Sequence, residues 1–306
     1  MSTEKGDEVF AQKTRELWKK IAVHGFVQKN EKTGKNFITN YSDLDGKTAL
    51  KILQLAKIDT SKVEYLAQGS WKEGYINVDT GDQYGVVVDN KTAFFDHHGK
   101  IMLGTATSAA QLVYETMVGL KLIDRTPALD KMINFVTQMD NKTFPDEERY
   151  YQDSDRTMLG LQGFVKPETL LQFFKDNKNP TKRLTDQELR RYGLDRRSKE
   201  MSAKLTKSEE EFRKARIIET ARYGKVVIDD GKKIPLGFNT ALANGCDSYV
   251  NWSPDINEFK IYTKADLPND FLLQGEKQRG KMWIKPSHDN QPLTVTLDDV
   301  IGALKS

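Results

Sequence analysis

Between residues 36 and 120 the sequence alternates short apolar runs with longer stretches whose apolar residues recur at helical spacing. That alternation constrains the chain more than any other feature. Strands separated by helices rejoin one sheet as βα units, which makes the sheet mostly parallel. The strand-length runs are Phe37-Ile38, Tyr75-Ile76-Asn77-Val78, Val86-Val87-Val88 and Thr92-Ala93-Phe94-Phe95, while Thr48 to Lys57 and residues 105 to 120 read as helices. Thr126-Pro127 opens a further helix over 127–139 and Pro167 one over 167–175, since proline suits the first helical position. Upstream, Phe10, Leu17, Trp18 and Ile21 share one face of an amphipathic helix expected over 8–22. In sheets of this kind the site lies beyond the carboxyl ends of the strands.

A chain of 306 residues exceeds what one hydrophobic core usually gathers, so two unequal domains are expected. The sequence turns polar at Asp176-Asn177-Lys178-Asn179-Pro180, and Thr185 with Glu188 forms a capping-box pattern that opens a long charged helix. The boundaries expected are therefore a larger α/β domain over 1–180, a charged helical linker over 181–222 and a small α/β domain over 223–306. Between 182 and 222 there are thirteen Lys and Arg against eight Asp and Glu, with doublets at Arg190-Arg191 and Arg196-Arg197. A solvated connecting helix and a contact surface for a polyanion both fit that pattern. Beyond Gly224, Val226-Val227-Ile228, a turn at Asp229-Asp230-Gly231, a helical stretch over Thr240 to Ala243 and Tyr249 to Tyr262 repeat the βα pattern on a smaller scale.

No apolar run approaches the roughly 18 residues that span a bilayer, so no membrane association is expected. The polar, acidic N-terminal residues carry no apolar signal region, and the expected address is the cytoplasm. One cysteine, Cys246, leaves no internal disulfide and no cysteine-rich metal site. A net charge of +3 is too small to argue for nucleic acid by itself.

The densest chemical signal is Phe94-Phe95-Asp96-His97-His98-Gly99, which sets half of the four histidines directly after an apolar strand. Carboxylates stand at other expected strand and helix ends: Asp43 and Asp45 in Ser42-Asp43-Leu44-Asp45-Gly46, Asp79 in Asp79-Thr80-Gly81, and Asp140 after the helix over 127–139. Read as an extended segment, Asp43 and Asp45 at i and i+2 project to one side, and Gly46 permits the turn into the helix behind them. Converging carboxylates repel unless cations neutralise them. Aspartate oxygens with an imidazole suit Mn²⁺ or Mg²⁺ better than a thiolate-rich zinc site. Each motif also has a plain reading taken singly. Asp79-Thr80-Gly81 and Asp45-Gly46 are ordinary turn sequences, Asp140-Asn141 an ordinary helix end, and His24 and His288 surface or packing residues.

The order Asp-x-Asp-Gly, Asp-Thr-Gly, Asp-His-His and a lone Asp resembles the four motifs of the DHH phosphoesterases, over about residues 36–145. That superfamily includes RecJ-type single-strand exonucleases, nano-RNases, cyclic-dinucleotide phosphodiesterases and family II inorganic pyrophosphatases. The resemblance implies two ions, Mn²⁺ or Mg²⁺, with Asp79 bridging them. It implies that Asp45, His97 and Asp140 complete one site and that Asp43 serves the other. Asp96 would orient the histidine pair and His98 would face the substrate phosphate, giving these two the catalytic roles beside the ions. The N-terminus of the helix near Thr105-Ala106-Thr107-Ser108 would offer N–H groups to a phosphate. One departure stands out: Tyr41 and Thr39 occupy positions where the family usually carries His or Asp, so the second ion is expected to bind weakly.

The family's glycine-rich substrate grip has no counterpart here. Arg279 and Lys281, around Gln278 to Trp283, and His288 are the nearest candidates for substrate binding, with Trp283 either a stacking surface for a base or part of the small core. The activity implied is hydrolysis of phosphodiester bonds in short single-stranded oligonucleotides or dinucleotides by a metal-activated water. Pyrophosphate or polyphosphate hydrolysis is an alternative from the same chemistry. A non-catalytic nucleotide-binding protein on a degenerate DHH scaffold is another. A homodimer is one open oligomeric arrangement.

Overall fold

A computed structural model of the chain describes residues 38–67, 69–83, 85–88, 92–97, 107–141, 143–145, 147–231, 234–253, 258–265, 267, 276–278, 281–284 and 295–306. Among these, one compact unit holds residues 38–145 with Gln162–Pro180, and the other holds residues 147–161 with Thr181–Ser306. The helix expected over 8–22 lies outside the described residues.

The first unit runs β1 (Ile38–Asn40), α1 (Leu44–Leu55), β2 (Val63–Tyr65), β3 (Ile76–Val78), β4 (Gly85–Val88), β5 (Ala93–Asp96), α2 (Ala109–Gly119) and α3 (Pro127–Asp140), and is completed by α4 (Pro167–Lys175). Its sheet has the order β2-β1-β3-β5-β4. The first four strands in that order are parallel, and β4 is an antiparallel edge. Strands β1, β3 and β5 are buried along their length, as expected of parallel strands covered on both faces. Register pairs Ile38 with Ile76 and Val78 with Phe95 on one face, and Thr39 with Asn77 and Phe94 on the other. On that second face Thr39 Oγ1 donates to Asn77 Oδ1 at 2.6 Å, and Asn77 Oδ1 also accepts from the Lys72 N–H at 2.9 Å. The loop before β3 therefore satisfies the polar groups that the strands bury.

Helix starts follow side-chain caps. Thr126 accepts from the Leu129 N–H with Pro127 behind it, and Ser108 accepts from the Gln111 N–H. Helices α3 and α4 begin where Pro127 and Pro167 place them. Helix α1 begins four residues before the expected Thr48, because the Asp43 carboxylate accepts from the Gly46 N–H and caps it. Asp43 and Asp45 are thus an N-cap and a first-turn residue, and the expected extended segment through them is replaced by a helix terminus.

In the second unit Thr185 and Glu188 form the expected capping box at the start of α5 (Asp186–Arg191). The helix stops at Gly193, whose φ of +67° is left-handed, and a second helix α6 (Asp195–Phe212) follows. One long charged helix is thereby divided into two. The sheet begins at β6 (Arg216–Thr220) and continues through β7 (Gly224–Asp229), α7 (Gly237–Ala243), β8 (Ser248–Ser253), β9 (Glu258–Thr263), β10 (Glu276–Gln278) and β11 (Lys281–Ile284), ending in α8 (Leu297–Lys305). Its order is β10-β11-β9-β8-β7-β6, with β7 and β8 parallel and every other pair antiparallel. Val226, Ile228, Val250, Phe259 and Ile261 meet α8 residues Val300 and Leu304 in one core. The architecture is α/β in both units. No helix among the described residues is long and apolar enough to cross a membrane.

Candidate metal centre

Because β1, β3 and β5 are parallel neighbours, the residues that follow them emerge side by side at one sheet edge. His97 follows β5. Asp79 follows β3 with φ +57°, a left-handed conformation that Asp adopts at lower cost than most residues, and its N–H donates to the Phe95 carbonyl at 2.8 Å. The backbone turns there, and the Asp79 side chain stays fully buried.

Asp45 reaches the same edge from the first turn of α1. A Cβ on Gly46 would lie 2.1 Å from the Tyr41 carbonyl oxygen and 2.8 Å from Asn40 Nδ2, so only glycine lets α1 start this close to β1. Asp45 is 1% exposed, and its two carboxylate oxygens accept from the Ala109 N–H at 2.7 Å and the Ala110 N–H at 2.9 Å. These are first-turn amides of α2, so that helix end holds a protein carboxylate. The expectation that its N–H groups meet a substrate phosphate is corrected accordingly. Asp140 is the last residue of α3, and two contacts fix that helix end to the start of α2. Ser108 Oγ lies 2.9 Å from Thr137 Oγ1, and Asn141 Nδ2 donates to the Thr107 carbonyl at 2.8 Å.

These elements bring four side chains together. His97 Nε2 lies 3.2 Å from Asp140 Oδ2, 3.3 Å from Asp79 Oδ1 and 3.7 Å from Asp45 Oδ2. Donor atoms of Asp45, Asp79 and His97 all fall within 4.8 Å of one another. Neighbouring donors on an octahedral ion with bonds of about 2.1 Å sit roughly 3 Å apart, so the spacing suits a small divalent cation. Asp45, Asp79 and His97 give two carboxylates and one imidazole, a donor set that Mn²⁺ and Mg²⁺ accept, and Asp140 stands beside them against His97 but outside that 4.8 Å group. The electrostatics point the same way. Burial first, and the Asp140 carboxylate second, push the Asp45 carboxyl up to about 7, and His97 and the Ala110 N–H only partly oppose them. A cation would relieve that strain on the charged form.

The remaining sites expected from the sequence are placed as follows. Asp43 stands beside the group, its Oδ1 accepting from the Gly46 N–H at 2.9 Å, and with Asp45 and Asp140 it lines a cavity of about 300 Å³. Asp96 is buried and its Oδ2 accepts from the Gln83 N–H at 3.0 Å, which ties the end of β5 to the chain entering β4. Tyr41 is half-buried, its N–H donating to the Val78 carbonyl at 3.3 Å. His98, Arg279 and His288 lie outside the described residues, and only the backbone of Lys281 is described, within β11. Of Ser108, Thr137 and Asn141, which fix the end of α3 to the start of α2, the sequence marked Ser108 as a helix start and Asn141 as a helix end, and gave none of them this positioning role. Ser108 before an apolar helical run carried an N-cap signal; nothing in the sequence marks its partner Thr137.

No family profile matches the sequence, and no curated protein does. Among solved structures the chain is similar to a pGpG-specific phosphodiesterase, PggH, from Vibrio cholerae, with a TM-score of 0.52 and 17% identity over 82% of this chain and 92% of that one. The likeness shows a shared fold. A looser likeness, TM-score 0.41, extends to RecJ from Thermus thermophilus in complexes with Mg²⁺ and with Mn²⁺, at 12% and 11% identity over 81% of this chain and 46% and 49% of RecJ.

Proposed function

We propose that this chain is a metal-dependent phosphoesterase of the DHH type, hydrolysing phosphodiester bonds in short single-stranded oligonucleotides or dinucleotides. The observation that carries the reading is the convergence of Asp45, Asp79 and Asp140 on His97 Nε2, 3.2 to 3.7 Å away, at the carboxyl edge of a parallel sheet. The fold shared with a pGpG-specific phosphodiesterase supports it. In this reading Asp45, Asp79, His97 and Asp140 hold one Mn²⁺ or Mg²⁺ tightly. Asp79 and Asp43 serve a second ion, held weakly because Tyr41 stands where a stronger ligand would be. A phenol is a weaker ligand for such an ion than a carboxylate or an imidazole. Such a pair of ions supplies a water of lowered pKa and neutralises charge on the phosphoryl oxygens.

The chain's own residues do the rest. Asp45 keeps its orientation through two amide hydrogen bonds, so its remaining lone pairs face the cluster. Asp96 holds the end of β5, and with it His97, while His98 is assigned to the substrate phosphate. Arg279, Lys281 and His288 are assigned to substrate binding. The cytoplasm is the proposed compartment, and homodimerisation is compatible with the reading.

Chelator-treated protein assayed on a 5′-labelled dinucleotide tests the proposal: turnover is expected to vanish and to return with Mn²⁺. His97→Ala is expected to stay inactive at any Mn²⁺ concentration, and wild-type activity in that variant would show the site to be wrong. Nucleotide binding without turnover in saturating Mn²⁺ would instead favour the non-catalytic reading that Tyr41 motivates.

A further inference from the structure

We infer that Lys47 is a phosphate-binding residue of a subsite one nucleotide wide that opens off the metal centre. The inference rests on the phosphoesterase reading and adds to it the part of the substrate that this face receives.

The cavity of about 300 Å³ beside Asp43, Asp45 and Asp140 is also lined by Lys47, Gln162 and Val165. Its size is at the low end of the roughly 300–1,000 Å³ of small-molecule sites, so it suits one nucleoside unit. Lys47 is exposed on α1, two residues after Asp45. Lys51, one turn further along, is paired with Glu168 at 3.3 Å, whereas Lys47 has no ion-pair partner among the described residues. The carboxylates nearest it in sequence have other duties: Asp43 caps α1 and Asp45 is bound by the α2 amides. An ammonium left available beside a site for divalent cations adds positive charge where a phosphate must enter. The rest of the lining has different chemistry. Val165 and Met139 are buried apolar residues that suit the face of a sugar or base, and half-buried Gln162 offers an amide for its polar edge.

The test compares wild type, Lys47→Met, Lys47→Arg and Gln162→Ala on a 5′-phosphorylated adenine dinucleotide in Mn²⁺, together with calorimetric titration of inorganic phosphate into the Mn²⁺-loaded proteins. Lys47→Met is expected to raise KM and weaken phosphate about tenfold, the effect of losing one charge-assisted hydrogen bond. Lys47→Arg should recover most of the loss, with the unfolding temperature and the Mn²⁺ midpoint unmoved in both. Gln162→Ala is expected to raise KM several-fold and leave phosphate affinity unchanged. Wild-type KM and phosphate affinity in Lys47→Met would overturn the inference while leaving the phosphoesterase reading intact. Absence of turnover in the wild type would instead count against that reading, and the phosphate titration would still decide the role of Lys47.

Discussion

Replacing Asp140 by Asn removes one carboxylate from the cluster at nearly constant size, with effects of opposite sign in the presence and absence of metal. The nearer oxygens of Asp45 and Asp140 lie 3.7 and 3.2 Å from the same His97 nitrogen, so they are at most about 7 Å apart. Two unit charges at that distance repel by about 2 kcal/mol at an effective dielectric near 20. Burial and this repulsion hold the Asp45 carboxyl at about 7, against 3.8 for the unperturbed group. The folded protein then binds a proton more tightly than the unfolded chain. Its stability from this group is fully present below about pH 4 and is lost as pH rises through 7. In the metal-free protein Asp140→Asn should restore about 2 kcal/mol at pH 8, where Asp45 is ionised, and little at pH 5.5, where it is protonated. In saturating Mn²⁺ the order reverses, because the wild type gains stability from binding and the variant gains less. Urea unfolding with chelator and with Mn²⁺ at both pH values reads these differences. Equal metal-free stability at pH 8, or a gain of the same size at both pH values, would refute the reasoning.

Gly46→Ala is expected to push α1 away from the Tyr41 carbonyl and take Asp45 with it, costing about 1–3 kcal/mol by crowding and raising the Mn²⁺ midpoint at least tenfold; thermal unfolding and Mn²⁺ titration check both. Tyr41→His should tighten the second ion and lower the Mn²⁺ concentration needed for half-maximal activity, and calorimetry showing two equally tight sites in the wild type would sink that idea. On α5 and α6, Arg190 is exposed, Arg191 lies over the Tyr192 ring, and Arg196 and Arg197 share Glu200. Neutralising all four should weaken long oligonucleotides more than dinucleotides and flatten the salt dependence of binding; equal effects on both lengths would leave the helices a solvated surface.

Much of the first unit was legible because its signals are local. Apolar runs at strand length, Pro127 and Pro167 at helix starts, and carboxylates and histidines at element ends all act within a few residues. Asp45, Asp79, His97 and Asp140 could be singled out for that reason. The link between Asp45 and the Ala109 and Ala110 amides joins residues 64 and 65 positions apart, and no local pattern announces it. The same holds for Ser108 with Thr137. The early start of α1 was concealed because Ser42-Asp43-Leu44-Asp45-Gly46 reads as an extended segment, whereas the Asp43 carboxylate satisfies an otherwise unpaired helix amide and so caps the helix. The break at Gly193 was open to detection, since a glycine after a charged helical run is a common stop, but the flanking Lys and Arg made one long helix look continuous.

The central claim, that these four residues are a metal centre, is tested most directly by soaking a crystal of the protein in Mn²⁺ and recording anomalous scattering. A strong peak is expected in contact with Asp45, Asp79, His97 and Asp140, with a second, weaker peak toward Asp43 that strengthens when phosphate is added. A map with no peak at His97 in saturating Mn²⁺, or with the ion bound elsewhere on the chain, would contradict it.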